Sequence, residues 1–417
     1  MSNFGGTHQS SLSLLLFFSA WGIWWSFFQI WLTNDLGFPG AKVGLIYTFD
    51  SAITLVLMFI YGSAQDKLGI KRYLLIGVTI LEMLLGPFFT WVYSPLLHSN
   101  FLLGAFLGSL YLSFAFLAAS PTFEALAERM SRRFGFEYGQ ARAWGSFGYA
   151  VSALCAGYLF TISPYIVFWL SSGISLLTFL LLVFGKTKNQ KQFAKYENKS
   201  EEKHDADKPS FKEIVGVFKM KQLWELVIFI IFSGSFYTVF DQQMFPQFFT
   251  KFFGTAAQGN TAYGILNSIE VFLESIMMAV VPWIMKKLGV RRTMLLGVAI
   301  MFIRIGLCGL VQSPVGISIV KLFHAPETAI FALAMFRYLT LHFDTRLSAT
   351  MYMVVSQIAA QLGQIIFSTP LGMLHDHIGY RSTFLVIACI VICAAIYAFV
   401  ILRKDDQEVG GQPLENN

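Results

Sequence analysis

Lys67-Leu-Gly-Ile-Lys-Arg-Tyr-Leu-Leu-Ile-Gly-Val-Thr-Ile80 recurs 220 residues later as Lys287-Leu-Gly-Val-Arg-Arg-Thr-Met-Leu-Leu-Gly-Val-Ala-Ile300. Each copy is a short basic loop that runs straight into an apolar helix. The offset is close to half of the 417-residue chain, so it signals an internal repeat. In a membrane chain, two parallel repeats point to a transporter with its substrate site between the halves.

The composition places the chain in a bilayer. Hydrophobic residues make up 55% and charged residues 13%, with a mean hydropathy of +0.60. A soluble chain of this size carries about a quarter charged residues. The net charge of +6 does not indicate nucleic acid, because the basic residues sit in short loops between apolar runs, as the positive-inside rule requires. Cys155, Cys308, Cys389 and Cys393 all lie inside apolar runs and read as small buried hydrophobes, not a disulfide framework or a metal site. No nucleotide-binding loop or metal-ligand cluster is evident, so neither an enzyme nor a cofactor is expected. The segment before the first apolar run holds no Lys or Arg, which argues against a cleaved leader.

Apolar stretches long enough to cross about 30 Å of hydrocarbon fall near 11–32, 43–63, 73–94, 101–127, 141–162 and 165–185, then 223–250, 262–285, 293–312, 314–340, 348–374 and 380–402. The expected fold is therefore an all-α membrane protein of twelve transmembrane helices in two six-helix bundles. Its divisions are 1–185 for the first bundle, 186–222 for a solvated linker, 223–402 for the second bundle, and 403–417 for a tail. Basic clusters follow helices 2, 4 and 8, whereas the loops after helices 3, 5 and 9 carry no Lys or Arg. That alternation predicts cytoplasmic termini and a cytoplasmic linker.

Ionisable residues inside the spans carry the functional reading, since each costs about 2.5–3.5 kcal/mol at mid-bilayer and so faces a cavity or a partner. In the first half, Glu124 and Arg142 lie on helices expected to run antiparallel, where a carboxylate and a guanidinium fork suit vicinal sugar hydroxyls. Tyr149, two turns after Arg142, could stack on a sugar ring. In the second half, Tyr237 and Asp241 share a face, as do Glu270 and Glu274. Arg304 sits alone in helix 9. Lys321, His324 and Glu327, spaced by three, form one polar stripe. An acid, a His and fixed cations in an apolar setting are what a proton relay needs.

Gly62-Ser-Ala-Gln-Asp66-Lys67-Leu-Gly69-Ile-Lys71-Arg72, and the related Gly372-Met-Leu-His-Asp376-His-Ile-Gly379-Tyr-Arg381, resemble the loop signature of the major facilitator superfamily. Phe136-Glu-Tyr-Gly-Gln-Ala-Arg142-Ala-Trp-Gly-Ser-Phe-Gly-Tyr149, Phe236-Tyr-Thr-Val-Phe-Asp241-Gln-Gln243 and Lys321-Leu-Phe-His324-Ala-Pro-Glu327 look like the oligosaccharide:proton symporters, the family of the bacterial lactose, raffinose and sucrose permeases.

The resemblance implies that Glu124 and Arg142 hold the sugar and that Tyr149 stacks on it. It also implies that Glu327 binds the proton, that Arg304 drives its release and that His324 links the two sites. Asp241 and Lys321 match an ion pair. Thr238 and Ala360 stand where lactose permease has a charge pair, and Gln361 keeps a polar position. Val271 replaces a galactoside-binding carboxylate, while Glu270 and Glu274 flank it, so the sugar acid has moved and sucrose is expected before lactose, melibiose or raffinose. Pro326, before Glu327, departs from the pattern and should kink helix 10. The implied protein is a bacterial inner-membrane importer of one disaccharide with one proton, functional as a monomer. Competing readings are a drug–proton antiporter, with less use for the Glu124–Arg142 pair, and a non-transporting sugar sensor, which would need a signalling domain.

Overall fold

The computed structural model describes residues 4–68, 72–134, 136–185, 216–343, 347 and 351–406, with backbone alone at 4–7, 66 and 132–134. Gly69 and Lys71 of the first loop signature and 186–215 of the expected linker lie outside the described residues, as does the tail beyond 406.

Among the described residues every regular element is helical. The first half holds α1 (His8–Asp35), α2 (Gly40–Gln65), α3 (Tyr73–Ser99), α4 (Phe101–Ser131), α5 (Tyr138–Ile162) and α6 (Pro164–Phe184). The second holds α7 (Lys221–Val239), α8 (Ala256–Leu288), α9 (Val290–Leu310) and α10 (Pro314–His342). The last apolar stretch, Met353–Ile401, breaks at Gly379 (φ 78°), which separates α11 (353–378) from α12 (380–401). Twelve spans result among the described residues, in two bundles of six. Gly37 (φ 69°) and Gly289 (φ 83°) make the α1–α2 and α8–α9 turns in the same left-handed region, where only glycine is unstrained.

Connectivity alternates the chain between two faces. One, the terminal face, carries the start of α1, the end of α12 and the basic loops. The other, the far face, carries the turns at 36–39, 163, 251–255 and 379. On the terminal face the basic loops act as helix caps. Arg72 donates to the Gly185 carbonyl at the end of α6 (3.1 Å) and to Gln9 (2.9 Å). Asp405 accepts from the backbone N–H groups of Val290 and Arg291 (2.8 and 3.0 Å), where α9 starts with unpaired donors.

The two halves meet through small residues, as membrane helices do when backbones approach closely. A side chain on Gly264 of α8 would come within 2.7 Å of the Gly157 Cα of α5, and one on Gly44 of α2 would run into the Ser368 carbonyl of α11. At the far face, Asp376 of α11 accepts from the backbone N–H groups of Gly40 and Ala41 at the start of α2, both at 2.7 Å. Gln247 bonds to Gln29 (3.0 Å) and Asn34 (3.1 Å) of α1.

Several expected spans are interrupted, and two of the breaks bear on the site. Composition predicts a continuous helix over 223–250, but α7 opens into a turn over 232–235 and breaks after Val239, and the chain resumes as a short helix, Phe245–Thr250. Pro246 explains the break: it has no N–H for the Gln242 carbonyl four residues back and would clash with it. That freed carbonyl accepts from the Tyr47 hydroxyl instead, at 3.3 Å. Asp241 sits in the opened turn. Pro326 acts in the same way: α10 is interrupted at Phe323, and Pro326 lies in the first turn of the segment His324–His342.

Candidate functional site

A cavity of about 560 Å³ lies between the halves, within the usual size range for small-molecule sites. Both halves line it: Glu124, Arg142 and Tyr149 from the first, and Tyr237, Asp241, Glu270, Glu274, Lys321, His324, Glu327 and Gln361 from the second.

On the first-half wall, Arg142 Nε donates to Glu124 Oε1 at 2.7 Å and Nη1 donates to Ser146 at 3.1 Å. Its guanidinium lies 4.3 Å from the centre of the Phe18 ring, which holds the fork flat. Both partners remain about one-third exposed, at 34% and 33%, so they keep free donors and acceptors toward the cavity. The Tyr149 ring packs on Gly22, and its hydroxyl accepts from Ser26 at 3.3 Å. Ser26 in turn accepts from Asn267 of the second half at 3.1 Å.

The second-half wall is an ion cluster. Fully buried Arg304 donates from Nη1 and Nη2 to the two Asp241 oxygens (2.7 and 2.8 Å), and from Nε and Nη2 to the two Glu327 oxygens (2.6 and 3.0 Å). The Lys321 ammonium reaches Asp241 at 2.8 Å and Glu270 at 2.9 Å. His324 stands between the three acids, 3.3 Å from Asp241 and 3.6 Å from both Glu270 and Glu327. The Tyr237 ring stacks on the His324 imidazole at 5.1 Å, with its outer side toward the cavity. Three carboxylates thus face two permanent cations, and the cluster is one positive charge short until His324 or one acid takes a proton.

Asp241, His324 and Glu327 come within 4.8 Å of one another, a spacing a metal could use. The donor set does not fit one, because Arg304 takes both oxygens of each acid.

The structure brings together nearly every residue singled out from sequence, with one regrouping. Glu270 joins the ion cluster through Lys321, whereas Glu274, one turn on, faces the cavity. Despite Pro326, Glu327 is held by two bonds. Sequence reasoning missed two acids. Asp50 of α2 and Glu82 of α3 are buried, and neither makes a hydrogen bond through its carboxylate. Their signal was available: each is a lone carboxylate inside an apolar run.

The twelve-helix bundle pair with a polar cavity at the seam is the major facilitator architecture. The crystal structure of the nucleoside transporter NupG matches with a TM-score of 0.78, covering 96% of this chain and 100% of that one at 14% identity, a likeness of fold. The model of the LacY proton/sugar symporter family matches residues 6–412, and the chain belongs to that family. The sucrose permease of Escherichia coli is 40% identical over 394 residues, covering 94% of this chain and 93% of its own. The raffinose permease of Escherichia coli is 34% identical over 408 residues, covering 96% and 95%.

Proposed function

We propose that this protein imports sucrose with one proton by alternating access, as a monomer in a bacterial inner membrane with both termini cytoplasmic. Its functional divisions would be 1–185, 186–222, 223–402 and 403–417. The observation that carries the reading is that one cavity presents both a hydroxyl-binding pair, Glu124 and Arg142, and a buried cluster lacking one proton.

Glu327 carries the coupling proton. Protonated, it needs no cation, and sugar binds across the cavity among Glu124, Arg142, Tyr149, Glu274 and Gln361. The halves then rock about that site. In the structure Arg304 holds Glu327 by two bonds while Asp376 and Gln247 join the halves at the far face. This is the state expected after the proton has left toward the cytoplasm. His324, Tyr237, Asp241, Lys321 and Glu270 connect the proton site to the sugar cavity. A potential of ~100 mV supplies about 2.3 kcal/mol per charge, and each pH unit about 1.4 kcal/mol. Together they sustain a sugar gradient of roughly several hundredfold.

Sucrose is favoured by the 40% identity to a sucrose permease and by Val271 in place of a galactoside-binding acid. The second reading, a symporter for raffinose, melibiose or lactose, has the 34% identity to a raffinose permease behind it. Uptake of labelled sucrose and lactose by cells, with external pH followed, separates them. The expected result is sucrose uptake with alkalinisation of the medium. Sucrose uptake without proton entry removes symport, and a preference for lactose overturns the sugar.

A further inference from the structure

We propose that Asp50 contacts the sugar, accepting hydroxyl hydrogen bonds from the ring not held by Glu124 and Arg142. The inference rests on the disaccharide reading above and assigns that substrate a second polar wall. Asp50 lies on α2, lines the cavity, and is only 2% exposed, yet both carboxylate oxygens are without a hydrogen bond. Two neighbouring hydroxyls are committed elsewhere, and that of Tyr93 is itself without a partner. Ser109 lies alongside but donates to the Ile46 carbonyl at 3.3 Å, and Ser113 donates to the Asp50 carbonyl at 3.2 Å. No basic side chain among the described residues pairs with Asp50.

An unpaired buried carboxylate is strongly unfavourable inside a membrane, and the cavity that Asp50 lines is where a ligand can supply the missing donors. On α11, Gln361 Oε1 is likewise without a bond and lines the same cavity. Ser51, next to Asp50, ties α2 to α11 by donating to Gln364 at 2.8 Å. This wall therefore offers acceptors, and a carboxylate can only accept. Its complement is a ligand rich in hydroxyl donors. The α4–α5 wall, by contrast, offers the mixed Glu124–Arg142 pair. Two rings need two walls, and a disaccharide spanning the cavity meets both.

The test uses the purified full-length protein in proteoliposomes, comparing wild type with Asp50→Asn and Asp50→Ala. A lost hydrogen bond to a charged group raises the KM for sucrose about 10–100-fold, more for Ala than for Asn, with the proton-to-sugar ratio still one. An unchanged KM, or loss of that ratio, overturns the proposal; the second would make Asp50 a proton site. Carbodiimide labelling of wild-type Asp50, read by mass spectrometry, needs no variant to fold. Sucrose should slow it, and labelling indifferent to sucrose overturns the assignment. Wild-type protein that transports no disaccharide fails the underlying reading itself, a result distinct from failure at Asp50 alone.

Discussion

Replacing Asp376 with Asn should loosen the far face. The carboxylate receives two charge-assisted bonds at 2.7 Å from the first N–H groups of α2, in the opposite half, where the helix dipole adds to the attraction. Asn keeps one acceptor and turns an amide N–H toward the second donor, so one bond is lost outright. Bonds to charged groups contribute about 1.5–3 kcal/mol. Asp376 is 26% exposed and water compensates in part, so a net loss of about 1–2 kcal/mol is reasonable. If closure of this face depends on the latch, opening becomes roughly 5–30-fold more populated. Alkylation of a cysteine at Thr369, whose hydroxyl lies 2.8 Å from that of Thr48 across the seam, should accelerate by that factor when reagent is added from the far face. An unchanged rate refutes the reasoning, as does an equal acceleration at a cysteine facing the terminal face.

Two further outcomes follow from the site geometry. Lys321→Met strips Asp241 and Glu270 of a buried partner and should destabilise the protein by about 3–5 kcal/mol, seen as a lower thermal midpoint in detergent; adding Asp241→Asn should recover part of the loss. Arg142→Lys replaces a planar fork with a point charge and cannot serve Glu124, Ser146 and sugar together, so sucrose KM should rise at least about tenfold.

How far the fold was legible depends on which signal each element carries. The repeat at Lys67 and Lys287 and the lengths of the apolar runs gave two halves and twelve spans, because the bilayer sets helix length directly. The three-residue spacing of Lys321, His324 and Glu327 gave the polar stripe. The break in α7 was missed although Pro246 announces it, because apolar composition was read ahead of backbone hydrogen bonding. Which acids join the cluster was not legible: Glu270 meets Lys321 only through the packing of α8 on α10. Asp50 and Glu82 escaped notice because no spacing partner accompanies them along the chain.

Glu327 as carrier of the coupling proton is tested most directly by one substitution. Glu327→Gln mimics the protonated carboxyl permanently and leaves Arg304 to Asp241. This variant should exchange labelled for unlabelled sucrose at near wild-type rate in proteoliposomes, yet accumulate none under an imposed proton gradient. Accumulation at the wild-type level would contradict that role.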